Sequence, residues 1–240
     1  MICLINFVTH ASRHLDLNVA LGINNNGFSL IPAFSLGKPS AIAAVSVSDG
    51  KRFSFDPEFR YSLKGKPWSF IFIWRYKLIK KERFHLTLGT HLPALNFVSD
   101  SVVRNGVEEE ATRARRFFPV IEFNPGYLVS KDITMGFFYQ YGGGVEKELP
   151  RRSHFLSVRA NFSNVRLPKQ LSLKFNPQLY YLTLDDKKGW YAASGLTLAM
   201  RSFPLSISTL MNKATQTNIA GKEFDWNIGL VYSFNESYTR

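Results

Sequence analysis

Large apolar and polar side chains alternate with a period of two along most of this chain. A strand sends successive side chains to opposite faces, so each such segment has one apolar face and one polar face. In 224–234, Trp226, Ile228, Leu230, Tyr232 and Phe234 share one face and Asn227, Gly229, Val231 and Ser233 the other. In 52–62, Phe53, Phe55, Phe59 and Tyr61 oppose Arg52, Ser54, Asp56, Glu58, Arg60 and Ser62. Trp68, Phe70, Phe72, Trp74 and Tyr76 form an all-aromatic face against Ile71, Ile73, Arg75 and Lys77.

The segments lie at 28–36, 40–48, 52–62, 68–78, 83–91, 116–127, 133–142, 153–163, 171–184, 190–200, 203–212 and 224–234. Many approach the roughly 9–11 residues that a tilted strand needs to cross a bilayer, and no stretch approaches the roughly 18 apolar residues of a spanning helix. The mean hydropathy is slightly negative, as it is wherever lipid-facing and lumen-facing residues alternate. Connections after even-numbered segments are short, at Asp49-Gly50, 79–82, 130–132, Leu167-Pro168 and Arg201-Ser202. The long ones, 92–115, 143–152 and 213–223, all follow odd-numbered segments. Short turns at one end and long loops at the other mark outer-membrane barrels. The expected fold is therefore all-β, a closed antiparallel transmembrane β-barrel of about 12 strands, within a range of about 12–14. A soluble β-sandwich is the alternative, and it requires the aromatic faces to meet in a core.

Leu15 to Gly22 alternates as cleanly as the other segments, and the turn signal Asn24-Asn25-Asn26-Gly27 follows it. Counting it leaves an odd number of strands, which bacterial barrels avoid. It is expected to be a terminal strand or a luminal segment, unless one of the first short segments is misdrawn. Met1 to Val8 is apolar but lacks a basic leader and is short for a signal core. A start that clips a secretory signal explains this, and so does an ordinary cytoplasmic start. The expected organisation is an N-terminal segment at 1–27 (signal remnant, luminal segment or extra strand), a barrel at 28–234 and a tail at 235–240.

Aromatic side chains should collect in two bands where a bilayer meets water. Tyr61, Trp68, Tyr141, Tyr181, Trp190 and Trp226 map toward the long-loop end; Tyr76, Tyr127, Phe203, Tyr232 and Phe234 map toward the short-turn end.

The opposite, inward faces carry Arg52, Arg60, Arg75, Lys77, Arg83, Arg116, Arg159 and Lys174 against Asp56, Glu58 and Glu122, with Asn124, Gln140, Asn161, Asn176 and Gln178 among the neutral groups. Asp56 and Arg75 fall close across adjacent strands, and His85 falls near Lys77. Over the whole chain 30 Lys and Arg stand against 18 Asp and Glu, a balance that points to an acidic partner or to solvated turns. A water-filled basic lumen favours anions. Alternatively, the same charges pair with one another and fill the interior. The basic stretch Arg113 to Arg116 precedes Phe117 and Phe118, but Phe117 falls on the face expected to meet lipid, so no nucleic-acid partner is expected.

Catalysis is not expected. His10, His14, His85, His91 and His154 have no Ser or acidic neighbour in a nucleophile motif; a loop site joining His85 or His91 to Asp100 or to Glu108 to Glu110 is the nearest alternative. The single Cys3 excludes a disulfide framework, the histidine spacing fits no common metal site, and no glycine loop opens a helix. No metal and no cofactor are expected.

The run Trp226 to Phe234 resembles the C-terminal strand of outer-membrane β-barrel proteins of Gram-negative bacteria, which alternates apolar residues and ends in an aromatic, usually Phe. Here Asn235 to Arg240 extends past that Phe. The segments Phe34 to Pro39, Lys66 to Phe70 and Trp74 to Lys77 are similar to an uncharacterised porin-like group of that class, over most of the chain from residue 28. The resemblance implies an outer-membrane location, contact with outer-membrane lipid and recognition by the barrel-assembly machinery during biogenesis. It assigns no solute. Together with the basic inward face it leads to the expectation of a porin-like channel or passive transporter for small, preferentially anionic solutes. A plugged structural or surface-interaction barrel is the alternative, with an outer-membrane lipid-modifying enzyme behind both.

Overall fold

In the computed structural model, which describes residues 14–104, 107–168, 170–200 and 203–239, the alternating segments pair edge to edge. The strands are β1 (His14–Asn24), β2 (Ser40–Ser48), β3 (Phe53–Ser62), β4 (Pro67–Lys80), β5 (Phe84–Arg104), β6 (Val107–Ser130), β7 (Ile133–Gly144), β8 (Ser153–Arg166), β9 (Leu171–Leu184), β10 (Lys187–Met200), β11 (Leu205–Thr217) and β12 (Phe224–Thr239). Neighbours in sequence pair antiparallel, and β1 pairs with β12 from His14↔Thr239 to Asn24↔Gly229, which closes the barrel. Closure leaves no sheet edge with unpaired backbone groups. No helix among the described residues is long and apolar enough to cross a membrane; the strands of a closed barrel can cross one, because every backbone group is paired.

The outer face fits that role. Leu179, Val158, Ile121, Met135, Ile207 and Ile228 point away from the lumen at 48% to 64% exposure. Soluble proteins rarely leave so continuous an apolar surface in water. The β3–β4 aromatic seam, with Phe55 on Trp74 at 4.1 Å and Phe59 on Phe70 at 5.4 Å, belongs to the same face of a single sheet. No second sheet meets it, and the sandwich alternative falls.

The number of strands is as expected, but one of them comes from a different segment. Leu15 to Gly22 lies within β1, hydrogen-bonded to both β12 and β2. Residues 28–36 are not a strand; they belong to the β1–β2 connection and contain a 3-10 turn at Pro32–Phe34. Pro32 has no N–H for a ladder, and Phe28 is buried within the barrel. The barrel thus starts at residue 14 rather than 28, and β12 runs to Thr239 through the expected tail. The expected signal remnant in 1–8 lies outside the described residues.

Residues 92–104 and 107–115, expected as a loop, are strand instead. β5 and β6, with 21 and 24 residues, far exceed the roughly 9–11 needed to cross a bilayer, so their hairpin projects beyond it. Arg113 pairs with Asp100 across the hairpin at 3.0 Å, and ion pairs of Arg113 with Glu148 at 3.7 Å and of Glu110 with Lys66 tie the hairpin to its surroundings. At the other end the turns are short. In the β2–β3 turn Asp49 Oδ1 accepts the N–H groups of Lys51, Arg52 and Phe53, and the Lys51 N–H foremost holds this carboxyl below its ordinary pKa. Gly50 takes the left-handed φ of +66° that the turn needs.

Two register shifts near the long-loop end invert the alternation. Arg60 pairs with Ser69 but Tyr61 with Pro67, so Trp68 is the extra residue. It turns inside, only 2% exposed, instead of joining the outward row. On β6 Phe117 pairs with Gly144 but Val120 with Gly142. Phe117 consequently faces inward against Phe34, ring centroids 4.7 Å apart. Arg116 is driven off the inward face and donates from its backbone N–H and Nε to Glu146 at 2.7 and 2.9 Å. Burial opposes ionisation of Glu146, but these bonds win and lower its pKa.

Candidate functional site

The β1–β2 connection folds into the lumen and crosses it. Its neck is closed by backbone bonds: Gly27 N–H donates to Lys38 O at 2.8 Å, and Leu36 and Gly37 N–H donate to Gly27 O at 2.8 and 3.0 Å. A side chain at Gly27 would meet Ser40 Oγ at 2.8 Å and the Trp68 ring at 3.0 Å, so only glycine lets the neck lie against the wall. Trp68 Nε1–H donates to Phe34 O at 2.9 Å on one side of the barrel. On the other side the Tyr180 hydroxyl donates to Leu30 O at 2.8 Å and lies 2.9 Å from Asn212 Oδ1. Leu30 and Ile31 pack there on a buried cluster that includes Phe155, Tyr180, Leu182 and Tyr191. The loop is therefore fastened to β4 and β6 at one end and to β8–β11 at the other.

Beyond the loop lies a charged layer. Arg75 of β4 reaches Asp56 of β3 at 2.8 Å and holds Glu122 of β6 with two nitrogens, at 2.8 and 3.1 Å. Glu122 is 4% exposed and lies 2.7 Å from His91 Nε2. Ser54 adds a 3.0 Å bond to Asp56. Next to this set, Gly89 leaves room for both side chains, because a Cβ there would lie 2.8 Å from Glu122 Oε2. Arg60 pairs with Glu58 at 2.6 Å and covers the Trp68 ring at 5.2 Å. Each inward carboxylate named from the sequence thus has an arginine, the arrangement that makes burying such charges tolerable.

Arg159 of β8 is different. It donates to Asn124 Oδ1 at 2.8 Å and lies over the Phe138 ring at 4.8 Å. Among the described residues it makes no ion pair with a carboxylate. Two internal cavities meet at this side chain. The upper, of about 400 Å³, lies beneath the loop and is lined by Phe28, Ile31, Phe138, Phe155, Arg159 and Gln178 among others. The lower, of about 470 Å³, is polar, with His85, Asn124, Asn161, Asn176, Arg159 and Gln178. Arg159 and Gln178 line both.

The other expected inward bases lie toward the short-turn end. Lys77 shares the strand face of Arg75, and Lys174 that of Asn176 and Gln178. Arg52 donates to the carbonyls of Lys77 and Leu78 at 3.0 and 2.8 Å and stays at the rim. Arg83, in the β4–β5 turn, is exposed there too. Basic excess therefore gathers in the lower lumen and its mouth. Of the outward aromatics, Tyr61, Tyr76, Tyr127, Trp190, Trp226, Phe203, Tyr232 and Phe234 are exposed. Tyr181 rests on Trp190 at 4.8 Å, and Tyr141 lies 5.2 Å from His154.

Sequence reading missed an inward aromatic row. Phe138, Phe155, Tyr180 and Tyr191 follow one another across β7–β10 at centroid separations of 6.0, 4.7 and 4.8 Å. The signal was present: Phe138 shares its parity with Gln140, Phe155 with Arg159, and Tyr180 with Gln178, all already on inward faces. His91 meets Glu122, and His154 Nδ1 meets the Tyr139 hydroxyl at 2.9 Å; His14 lies 3.0 Å from Asp16, which accepts from the Ser237 hydroxyl at 2.7 Å, so that the carboxylate and not the histidine stands between the other two. No group of three metal-binding side chains forms among the described residues.

No family model matches the sequence, and no curated protein does. Among solved structures, the chain is similar to a KdgM porin in complex with disordered oligogalacturonate, at 10% identity and a TM-score of 0.53, covering 91% of this chain and 99% of that one. It is similar to the NanC porin at 10% identity and a TM-score of 0.50, covering 90% and 98%. It is also similar to LpxR from Salmonella typhimurium at 12% identity and a TM-score of 0.53, covering 90% and 99%. At such identities the likeness is one of fold, the closed 12-stranded antiparallel β-barrel that these outer-membrane porins share with this chain.

Proposed function

We propose that this protein is an outer-membrane channel that passes small solutes, preferentially anions, through a lumen narrowed by the 25–39 loop. The observation that carries the reading is the junction of the two cavities at Arg159 and Gln178. A cation without a carboxylate partner at the joint of a narrow low-dielectric passage concentrates a positive field where a solute must pass. Lys77 and Lys174 extend that field toward the short-turn mouth. That one barrel of this fold was solved with oligogalacturonate, a polyanion, agrees with this preference by analogy of fold. In this reading the outward aromatics seat the barrel at the two headgroup layers, and β12 is the strand presented to the assembly machinery.

Planar-bilayer recordings in a potassium chloride gradient test the proposal. The wild-type reversal potential should report chloride preference, and Arg159→Glu should shift it toward potassium. Absent current from folded wild-type protein, or cation preference in it, would contradict the reading. The anchoring of the loop on both walls favours a second reading, a closed barrel of structural or surface-interaction role. In that case no current flows with the loop in place.

A further inference from the structure

We infer that the cavity beneath the loop is a binding site for a small amphipathic anion, an aromatic ring carrying a carboxylate. This rests on the lumen being open to solutes, and it narrows the solute class from anions at large. The volume, about 400 Å³, falls within the range of pockets that enclose small organic ligands. The wall is mainly apolar. The loop contributes Phe28, Leu30 and Ile31, and Ile71, Ile73 and Phe155 stand across from it. Asn96, Gln140 and Gln178 add neutral polar groups to the lining, but over the apolar part of the wall a strongly hydrated ion or a polyhydroxylated sugar would leave water without gaining partners.

The polar groups of the cavity are not spread evenly. Arg60 is neutralised by Glu58, and His91 is engaged by Glu122. Arg159 retains its charge without a carboxylate, fixed in direction by Asn124 and by the Phe138 ring beneath it. An apolar enclosure with one directed guanidinium matches a flat apolar body with one carboxylate, which guanidinium binds through parallel N–H···O bonds. The ring would lie along Phe138 and Phe155, which stand edge to face at 6.0 Å and 67°, an arrangement that takes a third ring in the same offset manner. The lower cavity, lined by Asn124, Asn161, Asn176 and Gln178, has no such apolar wall and offers a hydrated passage beyond the site.

Isothermal titration calorimetry on the detergent-solubilised full chain tests this, with benzoate as the probe and benzyl alcohol, acetate and galacturonate as comparisons. Benzoate should bind saturably at one site. Benzyl alcohol and acetate, lacking the charge or the ring, should each bind at least about tenfold more weakly, as should benzoate to Arg159→Gln. Arg52→Gln, at the rim, should leave benzoate affinity unchanged and controls for bulk charge. Heat-modifiable gel mobility identifies folded variants, and Phe155→Leu, which stays apolar but loses the ring, gives a second weakened variant should Arg159→Gln fail to fold. Galacturonate binding as tightly as benzoate, absence of benzoate binding, or full affinity in folded Arg159→Gln would overturn the inference. Chloride-selective currents without benzoate binding would sink this site and leave the channel standing, whereas benzoate binding without current would do the reverse.

Discussion

Arg75→Met should lower the stability of the folded barrel by about 3 kcal/mol or more, the cost of removing one partner from a buried charge set. Arg75 serves Asp56 and Glu122 together. Without it Glu122, 4% exposed, depends on His91, and Asp56 depends on the hydroxyls of Ser46 and Ser54. Urea titration of the barrel folded into vesicles should show a lower midpoint at unchanged slope. Adding Glu122→Gln and Asp56→Asn to Arg75→Met should restore most of the loss, because no unmatched charge is then buried. A wild-type midpoint in the single variant would mean that water already screens this layer.

The second large effect concerns the loop. Deleting residues 28–36 should raise single-channel conductance several-fold without opening the barrel wall. The deletion joins Gly27 to Gly37, whose backbones already meet at 3.0 Å, so the ladder from β1 to β2 need not move. The interior loses the packing of Phe28, Leu30, Ile31 and Phe34. Phe28 is buried and the other three are partly so; full burial of such a side chain contributes on the order of 1.5–3 kcal/mol, so the opened barrel should also melt at a lower temperature. Unchanged conductance would mean that the lumen narrows elsewhere, at the Arg75 layer or at Arg159. Current in the deletion alone, with none from the wild type, would favour the closed-barrel reading.

The same loop shows where alternation misleads. Residues 28–36 carry the period-two signature as well as β1 does, yet β1 is wall and 28–36 is filling. Both bury an apolar face, one in lipid and the other against the inner aromatic row, and a periodicity records that a face is apolar without recording what covers it. Pro32, unable to donate to a ladder, was the one local clue. For the inward charges the reading was nearer. Asp56, Glu58, Arg60, Arg75, Glu122 and Arg159 all lie in the lumen, because the extra residue of the nearest register shift falls on the partner strand or beyond them and leaves their own alternation as read. Arg116 and Trp68 lie next to register shifts, where one added residue exchanges inside for outside.

Alternation, segment length and turn spacing pointed to a closed membrane barrel with an apolar exterior and a charged interior, since only closure satisfies every backbone group of strands that face lipid, while the exclusion of a sandwich came from the single closed sheet. Nothing in the linear order, however, places the β1–β2 connection across the lumen or leaves Arg159 without a carboxylate while Arg75 holds two. Those outcomes depend on which side chains meet across strands far apart in sequence, such as Leu30 with Tyr180 and Arg75 with Glu122. Such pairings are set when the sheet closes, because a one-residue shift in any ladder would exchange the partners.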